Sequence, residues 1–297
     1  MTRIALIGLG EVGAVLAADL GRLDGLHLRA WDLAFADPSS RASANAATQG
    51  LERSPNAAAA VQDAELVISA VTAANDLSAA AAVAAALSGP SWFLDLNSAA
   101  PTHKQAAAAA IERAGGRYVE AAVMSPIEPL RLGAPILLGG PHAEAFAGYG
   151  AGLGFTGLRP YAGTVGPAAA TKLCRSVVVK GLEALVTESL LAARAWNVEA
   201  DVLGSLSNLL PADDWDALAG YLISRSLQHG TRRAEEMREA AAMVAAAGVD
   251  PVCSQAVARR QEWTGAASAV PADADLATIL EAVAADGSPG VREPGAA

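Results

Sequence analysis

Arg3-Ile4-Ala5-Leu6-Ile7-Gly8-Leu9-Gly10-Glu11-Val12-Gly13 is an apolar run that breaks into a G-x-G-x-x-G turn and continues into an Ala/Leu-rich stretch. A strand that turns at once into a helix through these glycines is a dinucleotide-binding pattern. Gly8 permits the tight turn, Gly10 lets the backbone approach a pyrophosphate with no Cβ in between, and Gly13 brings the new helix close to its strand. With Leu9, Glu11 and Val12 completing the turn, backbone N–H groups at the helix start are expected to face the phosphates. The plainer reading is a βα turn with no ligand, and the strand and acid that follow argue against it.

That second strand, residues 26–31, ends at Asp32. An acid about 20 residues beyond the glycines hydrogen-bonds the adenosine ribose 2′-hydroxyl and repels a 2′-phosphate. NAD(H) is therefore the favoured cofactor. Arg41 keeps NADP(H) open, because an arginine from the following loop can fold over a 2′-phosphate. An Asp after a strand also caps turns, which is the structural alternative for Asp32.

A chain of 297 residues is long enough for two domains with a sizeable core. Hydrophobic residues make up 53%, largely alanine, while aromatics are only 4%, a balance that favours close helix packing over membrane insertion. No apolar run approaches the length that spans a bilayer. Gly10 and Glu11 fall where a signal peptide needs hydrophobes, so a cytoplasmic setting is expected. The two cysteines, Cys174 and Cys253, form neither a disulfide framework nor a metal-ligand spacing. No metal is expected. A net charge of −10 argues against a nucleic-acid partner, which demands a basic surface.

Beyond the first two strands, residues 66–71, 91–96, 118–123 and 135–138 read as further strands, most of them separated by Ala-rich helical stretches. That alternation predicts parallel strands with crossover helices, hence a doubly wound α/β sheet over residues 1–162. Residues 167–196 then read as one long helix, and nearly everything up to residue 285 is helical, so an all-α domain is expected over 163–285. Residues 286–297, rich in Pro and Gly, read as a flexible tail.

Ligands of such sheets bind beyond the carboxyl ends of the strands, where the strand order reverses. Besides the glycine turn and Asp32, this selects Val71, Thr72, Asn97, Ser98 and Ser125. Thr72 and Asn97 are candidates for the cofactor's ribose or carboxamide, and Ser98 and Ser125 for a polar substrate. Helix capping is the competing role, most strongly for Ser98 ahead of Pro101. Gly163 to Ser176 leads a glycine hinge into the long helix, with Pro167 in its first turn. Lys172 then falls in an early turn, with Ser176 four residues on and on the same face. A cation near a helix N-terminus is electrostatically unfavourable. Proton exchange with a substrate hydroxyl or carbonyl would explain Lys172 there, and a solvated lysine turned away from any site is the alternative.

These residues carry a resemblance to a known family. The turn from Gly8 to Gly13, Asp95-Leu96-Asn97-Ser98-Ala99-Ala100-Pro101, Glu120-Ala121-Ala122-Val123, and the stretch from Gly163 to Ser176 resemble the β-hydroxyacid dehydrogenase superfamily. That superfamily includes 3-hydroxyisobutyrate and 6-phosphogluconate dehydrogenases; in particular the chain resembles a branch with a phosphogluconate-dehydrogenase-like helical C-terminal domain of undefined function. The resemblance implies a Rossmann-type N-terminal domain, a homodimer through the helical domain, and Lys172 as the catalytic lysine. In such enzymes a hydride moves between the substrate carbon and nicotinamide C4, and the lysine takes or returns the hydroxyl proton.

Three departures bear on the substrate. Met124-Ser125-Pro126 stands where the family usually has Ser-Gly-Gly, Ser176 stands where it commonly has asparagine, and Glu235-Glu236 replaces a Lys-Asp pair. Among the nearby cations His229, Arg232 and Arg233, His229 and Arg233 are candidates to bind an acidic substrate group; an exposed helix carrying intrahelical ion pairs is the alternative. Expected is an NAD(P)-dependent oxidoreductase for a small hydroxyacid or alcohol, or its aldehyde or ketone. The rivals are an imine reductase-like enzyme, which typically lacks a lysine at the Lys172 position, and a nucleotide-binding sensor that has lost catalysis. Oxidation of 6-phosphogluconate itself is disfavoured, as the chain is short and has no evident cluster for a substrate phosphate.

Overall fold

The computed structural model describes residues 1–206, 214–267, 270–271 and 274–286. The chain forms two compact units, one of residues Met1–Cys174 and a second that begins at Arg175. Of the expected flexible tail, everything from residue 287 lies outside the described residues.

The first unit alternates strands and helices: β1 (Thr2–Ile7), α1 (Glu11–Leu20), β2 (Leu26–Trp31), α2 (Arg41–Gln49), β3 (Glu52–Arg53) and α3 (Ala57–Val61). There follow β4 (Leu66–Ser69), α4 (Asp76–Ala84), β5 (Trp92–Asp95), α5 (Pro101–Arg113), β6 (Arg117–Val123), β7 (Ile136–Gly139), α6 (Ala143–Gly152) and β8 (Leu158–Ala162). The strands form one sheet in the order β3-β2-β1-β4-β5-β6-β7-β8. From β3 to β6 all pairs are parallel, and the order reverses between β1 and β4. This is the doubly wound arrangement the alternation predicts.

β1 shows why a continuous apolar run makes a central strand. Its side chains alternate between two cores: Ile4 and Leu6 pack with Leu16, Leu20 and Leu28, while Ala5 and Ile7 pack with Val67, Phe93, Val83 and Ile111 on the other face. Helices cover both faces, so the four buried positions Ile4 to Ile7 are all apolar, and the polar Thr2 and Arg3 stand at the accessible start of the strand.

The sheet departs from the expected all-parallel pattern at β7, which runs antiparallel to β6. Between β6 and β7 there is only a loop with one short 3₁₀ turn at Arg131–Gly133. Without a crossover helix the chain returns in the opposite direction. β8 then pairs parallel to β7 at the edge, with a register shift beside Pro160.

The helix α7 (Pro167–Trp196) has the extent that the sequence predicts. The second unit takes over within it and adds α8 (Glu199–Leu206), α9 (Trp215–Ala246), α10 (Val252–Gly265) and α11 (Leu276–Asp286). Leu190, Leu203, Ala219, Ile223, Ile279, Leu280 and Val283 form its core. α9 and α10 touch backbone to backbone at Gly230 and Gly265, where a Cβ on either would run into the other helix's main chain. Among the described residues no helix is long and apolar enough to cross a membrane.

Candidate active site

The glycine turn joins β1 to α1 beside the switch point. Gly8 has φ +94°, open to glycine at little cost. Its missing Cβ leaves room for the carbonyl of Ala70 and the side chain of Val71 at the end of β4, and that of Gly13 leaves room for the carbonyl of Gly8. Gly10 differs: a Cβ there would meet nothing within 4 Å. No side chain caps α1 at Gly10. Two of the glycines thus serve packing, and the third faces open space at a helix N-terminus whose dipole favours anions.

Asp32 takes the capping role that was its structural alternative and also holds the glycine turn. One carboxylate oxygen accepts from the Ala34 N–H at 2.8 Å and caps a 3₁₀ turn, while the other accepts from the Leu9 N–H of the glycine turn at 2.7 Å. Each oxygen keeps a second lone pair for a hydroxyl. Arg41, exposed at the start of α2, leaves a 2′-phosphate ligand open.

Asn97 is buried, and its side chain is engaged within the protein. Its Oδ1 accepts from the Val71 N–H at 2.7 Å, and its Nδ2 donates to Ser69 Oγ at 2.9 Å and to Asp76 Oδ1 at 2.7 Å. Both amide hydrogens are therefore committed. Asn97 ties the ends of β4 and β5 together. Thr72 precedes the next 3₁₀ turn, and its hydroxyl accepts from Asn75 Nδ2 at 3.1 Å. Ser125 donates to the carbonyl of Pro126 at 2.9 Å.

Ser98, one residue beyond Asn97, meets Lys172. The half-buried lysine donates from Nζ to Ser98 Oγ at 2.6 Å. Both belong to the first unit, which also carries the glycine turn. The start of α7, one turn before Lys172, is held by Glu120, a wholly buried carboxylate on β6 whose oxygens accept from the Gly166 and Ala169 N–H groups, each at 2.8 Å. A negative charge at the first turn satisfies orphan donors and complements the helix dipole. Gly139 makes the space, since a Cβ there would strike Glu120 Oε2. Glu120→Ala is expected to cost about 3 kcal/mol, because it deletes two charge-assisted hydrogen bonds and leaves buried donors unpaired. Urea unfolding measures it; a loss below about 1 kcal/mol would show that the cap is not what holds the start of α7.

Residues 3–150 match the NAD binding domain of 6-phosphogluconate dehydrogenase, and residues 193–264 match a domain of unknown function, DUF1932. A conserved hypothetical protein from Sinorhizobium meliloti 1021 is 35% identical over 96% of this chain and 97% of its own, with a TM-score of 0.73. A conserved protein whose structure revealed similarity to 3-hydroxyacid dehydrogenases is 30% identical over 88% of this chain and 96% of its own, with a TM-score of 0.64. The chain belongs to the 3-hydroxyacid dehydrogenase-like family. The Mycobacterium tuberculosis 3-hydroxyisobutyrate dehydrogenase, solved with L-serine, shares the fold at 21% identity over 95% of this chain and 98% of its own, with a TM-score of 0.69. No curated protein matches the sequence.

In this 3-hydroxyacid dehydrogenase-like chain the remaining expected site residues lie in the helical unit, and several are committed there. Arg233 is buried and paired with Glu183, which also accepts from Gln261 Nε2 at 3.0 Å. Burial pulls the Arg233 guanidinium pKa down and pushes the Glu183 carboxyl up, and their mutual attraction opposes both shifts. Loss of either partner would leave the other charge buried and uncompensated. Ser176 accepts from Lys180 Nζ at 3.1 Å, and Lys180 pairs with Glu236, which Arg232 also contacts one helical turn away. His229 is half-buried on α9. Among the described residues no cluster of His, Cys, Asp and Glu could hold a metal ion, and both cysteines are exposed thiols. Sequence reading missed Glu120 as a cap and Asp76, Asp95, Lys104 and Tyr118 as one buried cluster, because only the folded sheet brings them together.

Proposed function

We propose that the protein is an NAD(H)-dependent oxidoreductase acting on the CH–OH group of a small hydroxyacid or alcohol, or on the matching aldehyde or ketone. The observation that carries this reading is the Lys172–Ser98 hydrogen bond in the unit that bears the glycine turn. The turn, with Gly10 open and α1 uncapped by a side chain, suits a dinucleotide's pyrophosphate, and Asp32 suits an adenosine ribose diol. The nicotinamide of such a cofactor accepts or supplies a hydride when bound. Lys172 Nζ takes the hydroxyl proton during oxidation and returns it during reduction. Ser98 orients the lysine and the reacting oxygen, and Ser125 contributes to substrate selection.

A panel of small hydroxyacids, alcohols, aldehydes and ketones offered with NAD(H) and NADP(H) tests the proposal through nicotinamide absorbance. Turnover is expected on a member of the panel, with kcat/KM higher for NAD(H). Binding of the cofactor without any absorbance change across the panel would favour a sensor instead. The same reading takes the protein as a homodimer through its helical unit, where Val178, Leu182 and Leu185 leave an apolar stripe exposed along one face of α7. Sedimentation should give a dimer, and a monomer at all concentrations would reject that part.

A further inference from the structure

Directly behind the strand ends lies a buried polar cluster that the reaction does not use. Asp76 on α4 and Asp95 on β5 are both inaccessible to solvent, as is the Lys104 ammonium on α5. Asp95 accepts on both oxygens: Oδ1 from Lys104 Nζ and from the Asn97 N–H at 3.0 Å, and Oδ2 from the Tyr118 hydroxyl at 2.6 Å. Lys104 thus pairs with Asp95. Asp76 is placed differently. Its Oδ1 accepts from Asn97 Nδ2, and its Oδ2 is buried with no donor. The Asp95 side chain lies beside the Asp76 carboxyl.

Two carboxylates and one ammonium would leave a net negative charge buried at this point, which is costly. A proton on Asp76 Oδ2, donated to Asp95, satisfies the orphan oxygen and makes the cluster neutral. We infer that Asp76 and Asp95 share one proton, and that this proton, acting through Asn97, positions the Val71 turn against the glycine turn and links dinucleotide binding to proton uptake. Asp76 is thus a positioning residue. The path is continuous: Asp76 holds Asn97, Asn97 holds the Val71 N–H, and the Val71 side chain and Ala70 carbonyl occupy the space that the missing Cβ of Gly8 leaves.

The elements packed on α4 complete the electrostatics. β5 brings Asp95, α5 brings Lys104, β6 beyond them brings Tyr118, and α3 and β4 carry no charge. Burial, then the charge of Asp95, push the Asp76 carboxyl up to about 6, with Lys104 and Asn97 opposing. An anionic dinucleotide that excludes water beside the cluster favours its neutral form, so binding draws in a proton and, reciprocally, weakens as the pH rises.

This inference rests on the dinucleotide reading, and the test separates the two. Calorimetry of NADH binding near about pH 6.5, in buffers of different ionisation enthalpy, is expected to show net proton uptake by the wild type. Asp76→Asn, which keeps the donor to Asp95 but cannot ionise, should bind without uptake. Its affinity should stay flat from about pH 5.5 to about pH 8, where that of the wild type falls about fivefold or more. Uptake unchanged in Asp76→Asn, or absent from a wild type that binds NADH, overturns the inference.

A second measurement needs no cofactor and no variant. The infrared carbonyl band of a buried carboxylic acid should disappear from the wild type as the pH passes about 6. A wild type that binds neither NADH nor NADPH defeats the functional reading and the linkage together, while the infrared band still decides the shared proton. Absence of that band below about pH 5 defeats the proton itself.

Discussion

Lys172→Ala is expected to lower kcat by roughly 10²- to 10⁴-fold while leaving the Kd for NADH within about twofold of wild type. The split follows from position. Lys172 lies on α7 and bonds Ser98 beyond β5, whereas the groups suited to a pyrophosphate and ribose lie on the β1–α1 turn and at the end of β2. Losing the amine removes the proton carrier without touching that turn. Ser98→Ala, which removes the lysine's partner but not the amine, should cost less. Steady-state kinetics beside fluorescence titration of NADH resolve the two effects. A variant that turns over at the wild-type rate removes the lysine from the chemistry; loss of NADH affinity instead would make Lys172 a cofactor ligand.

The elements that sequence makes legible are those whose cause is local. Residues 26–31 form a strand because Leu26, Leu28 and Ala30 alternate with the polar His27 and Arg29 between two turns, and α7 begins at Pro167 because proline suits a first helical turn. Edge strands are harder. β3 is only Glu52–Arg53, both exposed, and β8 contains Pro160, which argues against a strand unless it lies at an edge. Its pairing with β7 depends on β7 having turned antiparallel, which no local pattern announces. In the site, Gly8, Gly10, Gly13 and Lys172 stand out because each is unusual where it stands. Asp95, Lys104 and Tyr118 do not, since each reads as an ordinary residue until the sheet gathers all three in the interior. Arg233 shows the converse: a cation on a polar helix segment reads as available for a ligand, yet folding buries it against Glu183.

Ser125 lies just beyond β6 in a half-buried segment, with its hydroxyl turned to the Pro126 carbonyl rather than to an anion cradle of glycines. A substrate carboxylate would have to find its partners elsewhere. The proposed reaction therefore depends on the Lys172–Ser98 pair for its proton and on other residues for selectivity, which is why the panel must include neutral alcohols and aldehydes as well as acids.

Gly10→Ala and Gly13→Ala should fail in opposite ways, although they add the same methyl group three residues apart. At Gly13 the new Cβ is driven into the carbonyl oxygen of Gly8, a backbone atom that cannot move unless the strand–helix turn opens. The cost is expected at about 3 kcal/mol or more, above an ordinary overpacking penalty because the obstacle is main chain. At Gly10 the Cβ meets nothing within 4 Å, so the loss of stability should stay near the cost of an alanine N-cap, about 1 kcal/mol. The methyl group would then occupy the space that a pyrophosphate needs, and NADH affinity should fall by at least about tenfold, or 1.4 kcal/mol. Urea unfolding and NADH titration of both variants give the comparison. If Gly10→Ala binds NADH as tightly as wild type, the open face of the turn is not where the phosphates sit, and the dinucleotide reading loses its structural basis. Should Gly13→Ala instead unfold at the wild-type midpoint, the contact with Gly8 would be shown to relax, and Gly13 would no longer be required by the packing of α1 on β1.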